Sequence, residues 1–373
     1  MRIVFCISTL AIGGAEKQAL LIAEQMRRRG HVVLILVLFS SSSIELETKL
    51  PTMRLNQQRS LAGFVRAWRI ARSFLDAFGA DIIHSHTYPA NLFARLLRLS
   101  GSSGAVLHTY HNVREGGLAR RWLYRATSRA MTASTAVSEA VLTRMIQDRI
   151  ARTERIDVIP NGIVMEAFHA NSRRRAEVRR ELGVEGRFVW IAVGRVARAK
   201  DYPTLLEAFC IVREQDQNCR LWIVGGVAQD RHEQENLQLA KTLDSVEGAH
   251  WLGAQTDVMS LLNAADGFVL SSAWEGAPLV IAEAMAMKLP VVATDVGGVA
   301  EILGGCGEVV SAGSAAALAD GMLRVMQSSR EAILQRTDAG RVRVERYFVM
   351  EQIATQWEAY YGGLVEAQKE FKG

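Results

Sequence analysis

The apolar residues of this chain fall in short continuous runs: RIVFCIS (2–8), HVVLILVLF (31–39), DIIHSH (81–86), AVLHTYH (105–111), TASTAVS (132–138) and RIDVIPNGI (155–163). Each run has the length of a strand, and the scarcity of polar alternation predicts strands covered on both faces. Between them the apolar residues recur every three or four positions, over 16–28 (closed by Gly30) and near 61–78, 89–99, 118–129 and 139–147, which predicts amphipathic helices. A polar stretch rich in Arg and Glu, 165–186, interrupts this rhythm, and the rhythm then restarts. FVWIAVG (188–194), RLWIVGG (220–226), HWLGA (250–254), GFVLSS (267–272) and PVVATD (290–295) are strands; YPTLLEAFCIVRE (202–214) and NLQLAKTL (236–243) are helices. Buried strands alternating with helices predict an α/β protein of two doubly wound, Rossmann-like parallel sheets, with ligands at the carboxyl ends of the strands. The expected boundaries are 1–165 for the first domain, 166–186 for a helical linker and 187–347 for the second domain. A final helix, 348–373, is expected to cross back to the first.

A length of 373 residues exceeds one ordinary core, which agrees with two domains. At 49% hydrophobic and 22% charged, the composition is that of a soluble globular protein, and no apolar run reaches the 18 or so residues of a membrane span. The opening MRIVFCISTLAIGGAEKQ has a brief apolar run, lacks a cleavage box and passes straight into GGAE. It reads as a first strand and not as a signal peptide, so a cytoplasmic setting is expected. Four scattered cysteines without metal-type spacing read as reduced thiols.

The net charge of +5 hides an asymmetry: residues 54–180 hold 21 Arg, no Lys and nine acidic residues, a surplus of 12 that leaves the rest of the chain seven charges negative. A basic first half is expected to meet something anionic. The arginines of LARRWLYRATSRAM (118–131) are interleaved with large apolar residues, which favours an acidic lipid surface over nucleic acid; the plain alternative is a solvated helix face.

Three short stretches carry candidate chemistry. GGAE (13–16) lies between the first strand and first helix, where glycine lets backbone approach a ligand and the helix N-terminus favours an anion, although a bare turn also needs glycine there. It is not GxGxxG. In VGRVARAK (193–200), Arg195 at a strand end and Lys200 five positions later suit a diphosphate, against the alternative of a surface pair with acids such as Asp201. In SSAWEGAPLVIAEAMAMKLP (271–290), Glu275 and Glu283 stand eight positions apart in an apolar setting. Glu275 is expected in the loop and Glu283 in the helix that Pro278 begins, with backbone NH groups around Gly276, Ala277 and Leu279 between them. Ionised carboxylates there require partners, and carboxylates accepting adjacent hydroxyls hold a ribose or hexose. His84 and His86 alternate along one strand, so that only one is expected to face the ligand side.

At these residues the chain resembles a family. EGAPLVIAEAMAMKLPVVATDVGG is similar to the Glu-x7-Glu signature of family 4 retaining glycosyltransferases, in which two Rossmann-like domains face a deep cleft (the GT-B fold). GGAEKQALLIAEQM, VSEAV, VIPNGIV, VGRVARAKDYPTLLEAF and WLGAQTDVMSLLNAADGFVLSSAWEG follow in the family's order, nearly end to end. The resemblance implies that Arg195 and Lys200 hold the donor diphosphate, Glu283 the ribose hydroxyls and Glu275 hydroxyls of the transferred sugar. It implies that the backbone of Gly276, Ala277, Pro278 and Leu279 completes the cradle and that Gly14 lies in the loop closing over the phosphates. By the same resemblance His86 stands beside the donor sugar and His84 is core; His111, in HTYHNVREGG, is placed on the acceptor side. The HTYHNVREGG stretch with its Arg-rich helix is similar to enzymes that build bacterial surface polysaccharides. Two departures stand out: GGVAQD (225–230) replaces a usual GDGP, and AMKLP lacks the glycine of AMAxGxP, which puts the nucleotide base in doubt.

No Asp-x-Asp occurs, so metal-bridged diphosphate binding is not expected, and no cofactor beyond the nucleotide-sugar donor, expected to be a UDP-sugar, is called for. The resemblance implies hexosyl or N-acetylhexosaminyl transfer with retention by same-face attack, to a glycan or polyprenyl-diphosphate-linked acceptor. Nucleotide-sugar 2-epimerases share the fold and donor pocket but need no second substrate. Two-domain periplasmic-type sugar-binding proteins share the architecture but should be exported.

Overall fold

The structure, a computed structural model, describes residues 1–40, 44–56, 60–101, 104–228 and 232–370. It consists of two compact units. The first comprises residues 1–162 and 350–373, and the second residues 163–349.

The first unit holds a seven-stranded sheet of β1 (Arg2–Ile7), β2 (Val32–Val37), β3 (Thr52–Arg54), β4 (Ile82–Ser85), β5 (Ala105–Tyr110), β6 (Ala133–Ala136) and β7 (Ile156–Val158), in the order β3-β2-β1-β4-β5-β6-β7. Every pairing is parallel, with Ile3 opposite both Val32's neighbour Val33 and Ile82. The apolar opening of the chain is therefore a strand of the sheet interior. Strand β3 is short and only partly buried, which is why no apolar run announced it. The chain end also belongs to this unit. Helix Met350–Glu370 buries Met350, Ile353, Ala354, Trp357 and Tyr361, one stripe at helical spacing. Glu358 of that helix accepts from Arg29 and pairs with His31, both at 2.8 Å. The last three positions of the expected helix, 371–373, lie outside the described residues.

The second unit holds six parallel strands: β8 (Phe188–Val193), β9 (Cys219–Val224), β10 (Ala249–Gly253), β11 (Gly267–Leu270), β12 (Val291–Thr294) and β13 (Glu308–Val310), in the order β10-β9-β8-β11-β12-β13. Alternate residues feed opposite cores: Val189, Ile191 and Phe268 on one face, Trp190, Ala192 and Val269 on the other. The segment expected as a linker, 166–186, lies inside this unit. Its helix Ser172–Glu181 is held by Arg175 and Arg179, which pair with Asp266 at 2.5 and 3.0 Å, while Asp266 also accepts from the Val189 amide at 2.9 Å. A polar, Arg-rich helix looks like a connector in sequence, but its cations here cap the start of the central strands.

Both strand orders reverse direction beside the first strand of the unit, between β1 and β4 and between β8 and β11. That is the topological switch point, where two loops diverge and leave a crevice at the carboxyl ends.

Candidate active site

In the second unit the loops after β8 and β11 bring Lys200 and Glu275 together. Lys200 Nζ donates to Glu275 Oε1 at 2.6 Å, with side-chain exposures of 18% and 13%. Ser272 Oγ donates to the same carboxylate oxygen at 2.6 Å. The loops are tied by backbone as well: Ala273 N donates to Ala199 O at 2.8 Å, and Ser271 Oγ to Lys200 O at 2.7 Å. Lys200 therefore pairs with Glu275, 75 positions away, and not with the adjacent Asp201. Asp201 accepts from Thr204 instead, at 2.8 Å. Arg195 is exposed and makes no ion pair among the described residues, so only one of the two expected cations is engaged in the loop.

Pro278 directly precedes helix Leu279–Ala286, whose N-terminus has no side-chain cap. Gly276, Pro278 and Leu279 are buried and Ala277 is half-buried. Glu283 sits one turn into the helix at 5% exposure, so its carboxylate is held within the protein. The loop is shaped from behind by the turn after β12: Gly298 N donates to Gly276 O at 2.6 Å, and a Cβ on Gly297 (φ +55°) would stand 2.2 Å from Glu275 O. On the other side Tyr202 OH donates to Gly194 O at 2.6 Å, fixing the backbone next to Arg195. Ser272, Tyr202 and Gly297 were missed by reading the sequence. The first adjoins Glu275 in SSAWEG; the other two act through backbone, which leaves no chemical signature.

At the switch point of the first unit, Gly14 is exposed and opens helix Gly14–Arg28, again without a side-chain cap. Gln18 of that helix is fully buried and exchanges two hydrogen bonds with Gly162, at 2.6 and 3.0 Å. His84 and His86 do not take opposite sides. Residues two apart on a strand share a face, and the rings lie 4.0 Å apart between centroids. His84 is core, as expected: its ring nitrogens lie 2.7 Å from Tyr361 OH of the terminal helix and 2.7 Å from Thr109 Oγ1, which in turn lies 2.8 Å from Thr135 Oγ1. His86 is also buried, at 2% exposure, and its Nδ1 lies 3.0 Å from Nε2 of the half-buried His111. Burial disfavours the charged form of all three rings. It pushes His84 and His86 well below the usual histidine value, with neighbouring histidines adding to the effect, and His111 down to about 3.

The family model described as "Glycosyltransferase Family 4" matches residues 12–167, and that described as "Glycosyl transferases group 1" matches residues 187–328. The two matches fall on the two sheets. The chain belongs to glycosyltransferase family 4. Within this family it is 28% identical, over 64% of its length, to the capsular polysaccharide biosynthesis glycosyltransferase CapM of Staphylococcus aureus. It is 25% identical, over 58% of its length, to the UDP-Gal:alpha-D-GlcNAc-diphosphoundecaprenol alpha-1,3-galactosyltransferase of Escherichia coli. The matches span 64% and 58% of the lengths of these two curated relatives. A solved structure of Anabaena HepE in complex with UDP-glucose shares the fold, with a TM-score of 0.84, 20% identity and coverage of 97% of this chain and 100% of that one.

Family membership sharpens the two departures. In AMKLP the missing glycine is Lys288, which has φ +57°, the left-handed region that favours glycine, and its Nζ pairs with Asp338 at 2.7 Å. The position keeps the backbone shape of a helix end and has lost only the residue that adopts it most readily. Of GGVAQD, Gly225 has φ +150° and a Cβ there would stand 2.0 Å from Gly194 O, so glycine is needed for β9 to end beside β8. Gln229 and Asp230 lie outside the described residues.

Proposed function

We propose that the protein is a retaining glycosyltransferase that moves a hexose or N-acetylhexosamine from a UDP-sugar to a glycan or polyprenyl-diphosphate-linked acceptor in surface-polysaccharide synthesis. The observation that carries this reading is the Lys200–Glu275 pair at the switch point of the second sheet, in a chain whose two halves both match the family. Lys200 and Arg195 supply fixed positive charge for the diphosphate, with the uncapped N-terminus of helix Leu279–Ala286 and the backbone of Gly276 to Leu279 adding amide dipoles. Glu283 takes the ribose hydroxyls and Glu275 those of the transferred sugar. Gly14 contributes backbone to the phosphates, and the His86–His111 pair serves the sugar and acceptor.

In the reaction, the bond from the anomeric carbon to the diphosphate oxygen breaks, and a bond from the same carbon to the acceptor oxygen forms on the same face. The acceptor proton passes to the departing diphosphate, so that no enzymic nucleophile and no metal is required. The galactosyltransferase relative, whose name gives a UDP-sugar donor and a diphosphoundecaprenol acceptor, supports this choice of substrates.

The acceptor class gives the helix Leu118–Ala126 a role. Leu118 is 81% and Trp122 65% exposed, one turn apart, beside a partly exposed Leu123. Arg120 lies over the Tyr88 ring, and Arg121 pairs with Asp148 at 2.9 Å, so part of the basic charge is held against the protein. This face docks on anionic lipid at the inner side of a cell membrane, through apolar insertion with arginine support.

A thermal-shift panel of UDP, GDP and ADP tests the donor reading: UDP alone should raise the melting temperature, and no response to any diphosphate would end it. Proton NMR of the product from UDP-sugar and acceptor reads the anomeric configuration. Flotation with anionic and neutral vesicles, at low and high salt, tests the surface; binding indifferent to lipid charge would remove it.

A further inference from the structure

Three helices of the first unit lie side by side on one face of its sheet: Leu61–Phe78, Tyr88–Leu99 and Leu118–Ala126. Val4 and Ile83 of the sheet share a core with Ala71 of the first helix and Phe93 of the second. Tyr124, buried on the third, packs against Tyr110, which stands four positions along β5 from Val106 of that core and so on the same face. Phe64 meets Phe93 edge-on at 5.9 Å and Arg95 lies over the Tyr124 ring at 4.8 Å, which puts helix Tyr88–Leu99 between the other two. Phe5 and His84 point the opposite way, and His84 meets the terminal helix through Trp357 and Tyr361. The outward sides of the three helices therefore look in one direction, away from the sheet.

That outward side differs from the one behind the sheet. The three helices carry three, two and three arginines in turn and a single acid, Asp76. Helices Gly14–Arg28 and Met350–Glu370, which pack together on the other face, carry six acids and four cations. The middle helix is apolar on both sides. Phe93 and Leu97 face the core, while Pro89, Leu92, Leu96 and Leu99 run along the outward side, half-buried or exposed, with Leu99 at 59% exposure. A surface helix in water turns polar residues outward, and this ridge has none. On one flank Val65, Arg66, Arg69 and Ile70 are exposed and border an open groove. On the other stand Leu118 and Trp122.

We propose that the three helices form one docking surface for an anionic lipid bilayer, in which the leucine ridge and its apolar flanks enter the acyl boundary and Arg66 and Arg69 meet headgroup phosphates. Arginine suits that edge, because its stem lies along apolar surface while its guanidinium binds phosphate through two N–H groups. One sign of charge around an apolar centre matches an acidic membrane, whereas a nucleic acid would leave the leucine ridge in water. The surface rests on the docking of helix Leu118–Ala126 proposed above, to which it adds two helices, and it is independent of the glycosyl-transfer chemistry.

Flotation of the full chain with phosphatidylcholine vesicles, with and without phosphatidylglycerol, tests it. Arg66→Glu/Arg69→Glu should lower partition onto the anionic vesicles roughly tenfold or more. Leu99→Gln should lower it roughly threefold. All three side chains are partly or fully exposed, so the melting temperature should hold. Wild-type binding by Arg66→Glu/Arg69→Glu, beside loss in Leu118→Gln/Trp122→Gln, would confine docking to helix Leu118–Ala126 and overturn the three-helix surface. A wild-type chain that ignores anionic vesicles would overturn both. Hydrogen exchange of the wild type should slow on these vesicles in 61–78, 88–99 and 118–126 and not in 14–28 or 350–370. Protection confined to 118–126, or equal on both faces of the sheet, would overturn the proposal even where a variant does not fold. A DNA or RNA oligomer that displaces the vesicles and protects the same helices would replace lipid as the occupant. Transfer to a soluble acceptor should be unchanged in Arg66→Glu/Arg69→Glu. A chain that docks by this face but transfers no sugar would keep the surface and sink the transfer reading instead.

Discussion

The two units share a strand order and differ in what they place where it reverses. In the second, a part-buried ion pair, Lys200–Glu275, is braced by Ser272 and by backbone from two loops. In the first, neutral rings and hydroxyls run from Tyr361 through His84 and Thr109 to Thr135, with His86 and His111 alongside. One arrangement sets opposite charges in contact, and the other holds uncharged groups in place. The scaffold supplies a crevice in each case, and the loop sequences decide its chemistry.

That contrast is broken most severely at Lys200. Lys200→Ala should lower transfer at least a hundredfold, about 3 kcal/mol of transition-state stabilisation. It should also lower stability, because Glu275 is left with Ser272 alone. Adding Glu275→Gln should restore the denaturation midpoint but not the rate; wild-type turnover in Lys200→Ala would discard the site.

Acid should separate the units next. His84, His86, His108 and His111 all have folded values below the ordinary 6.5, so above that pH both states are neutral and nothing is lost. Below it the unfolded chain takes up protons that the folded one refuses, down to about 3 for His111, and stability falls with pH. Glu115, buried and raised to about 7, opposes this: its contribution is present below the ordinary carboxyl range and fades as pH rises through 7. The net loss from pH 7 to 5.5 should be roughly 3–4 kcal/mol. Hydrogen exchange, corrected for intrinsic rates, should show protection falling in β4 and β5 before β8 and β11. Parallel loss would remove the distinction.

Smaller effects refine it. Tyr361→Phe deprives the buried His84 Nδ1 of its partner and should cost about 2 kcal/mol in urea denaturation, with loosened exchange in the terminal helix. Lys288→Gly should stabilise the second unit by about 0.5–1 kcal/mol, since glycine adopts the positive φ freely and the pair it removes is exposed on both sides. Destabilisation there would assign Lys288 a role that its backbone does not reveal.

Much of this was legible in the sequence. Continuous apolar runs gave the long parallel strands, and the spacing of Glu275 and Glu283 drew attention to the loop that Lys200 and Ser272 brace. Three kinds of feature escaped. Short strands such as Thr52–Arg54 and Glu308–Val310 bury too little to leave a pattern. The helix Ser172–Glu181 looked like a linker because its anchoring is ionic and not apolar. The partners of Lys200 and His86 lie 75 and 25 positions away, and no local spacing encodes a pairing made by strand order.

The lysine–glutamate contact also sets the terms on which any ligand can use Lys200. Each ion already has a counter-ion, so under the proposed donor role a diphosphate that claims Lys200 would displace a carboxylate and free it to receive hydroxyls. Donor entry would then be an exchange of partners, with the original couple closing again once the spent nucleotide leaves.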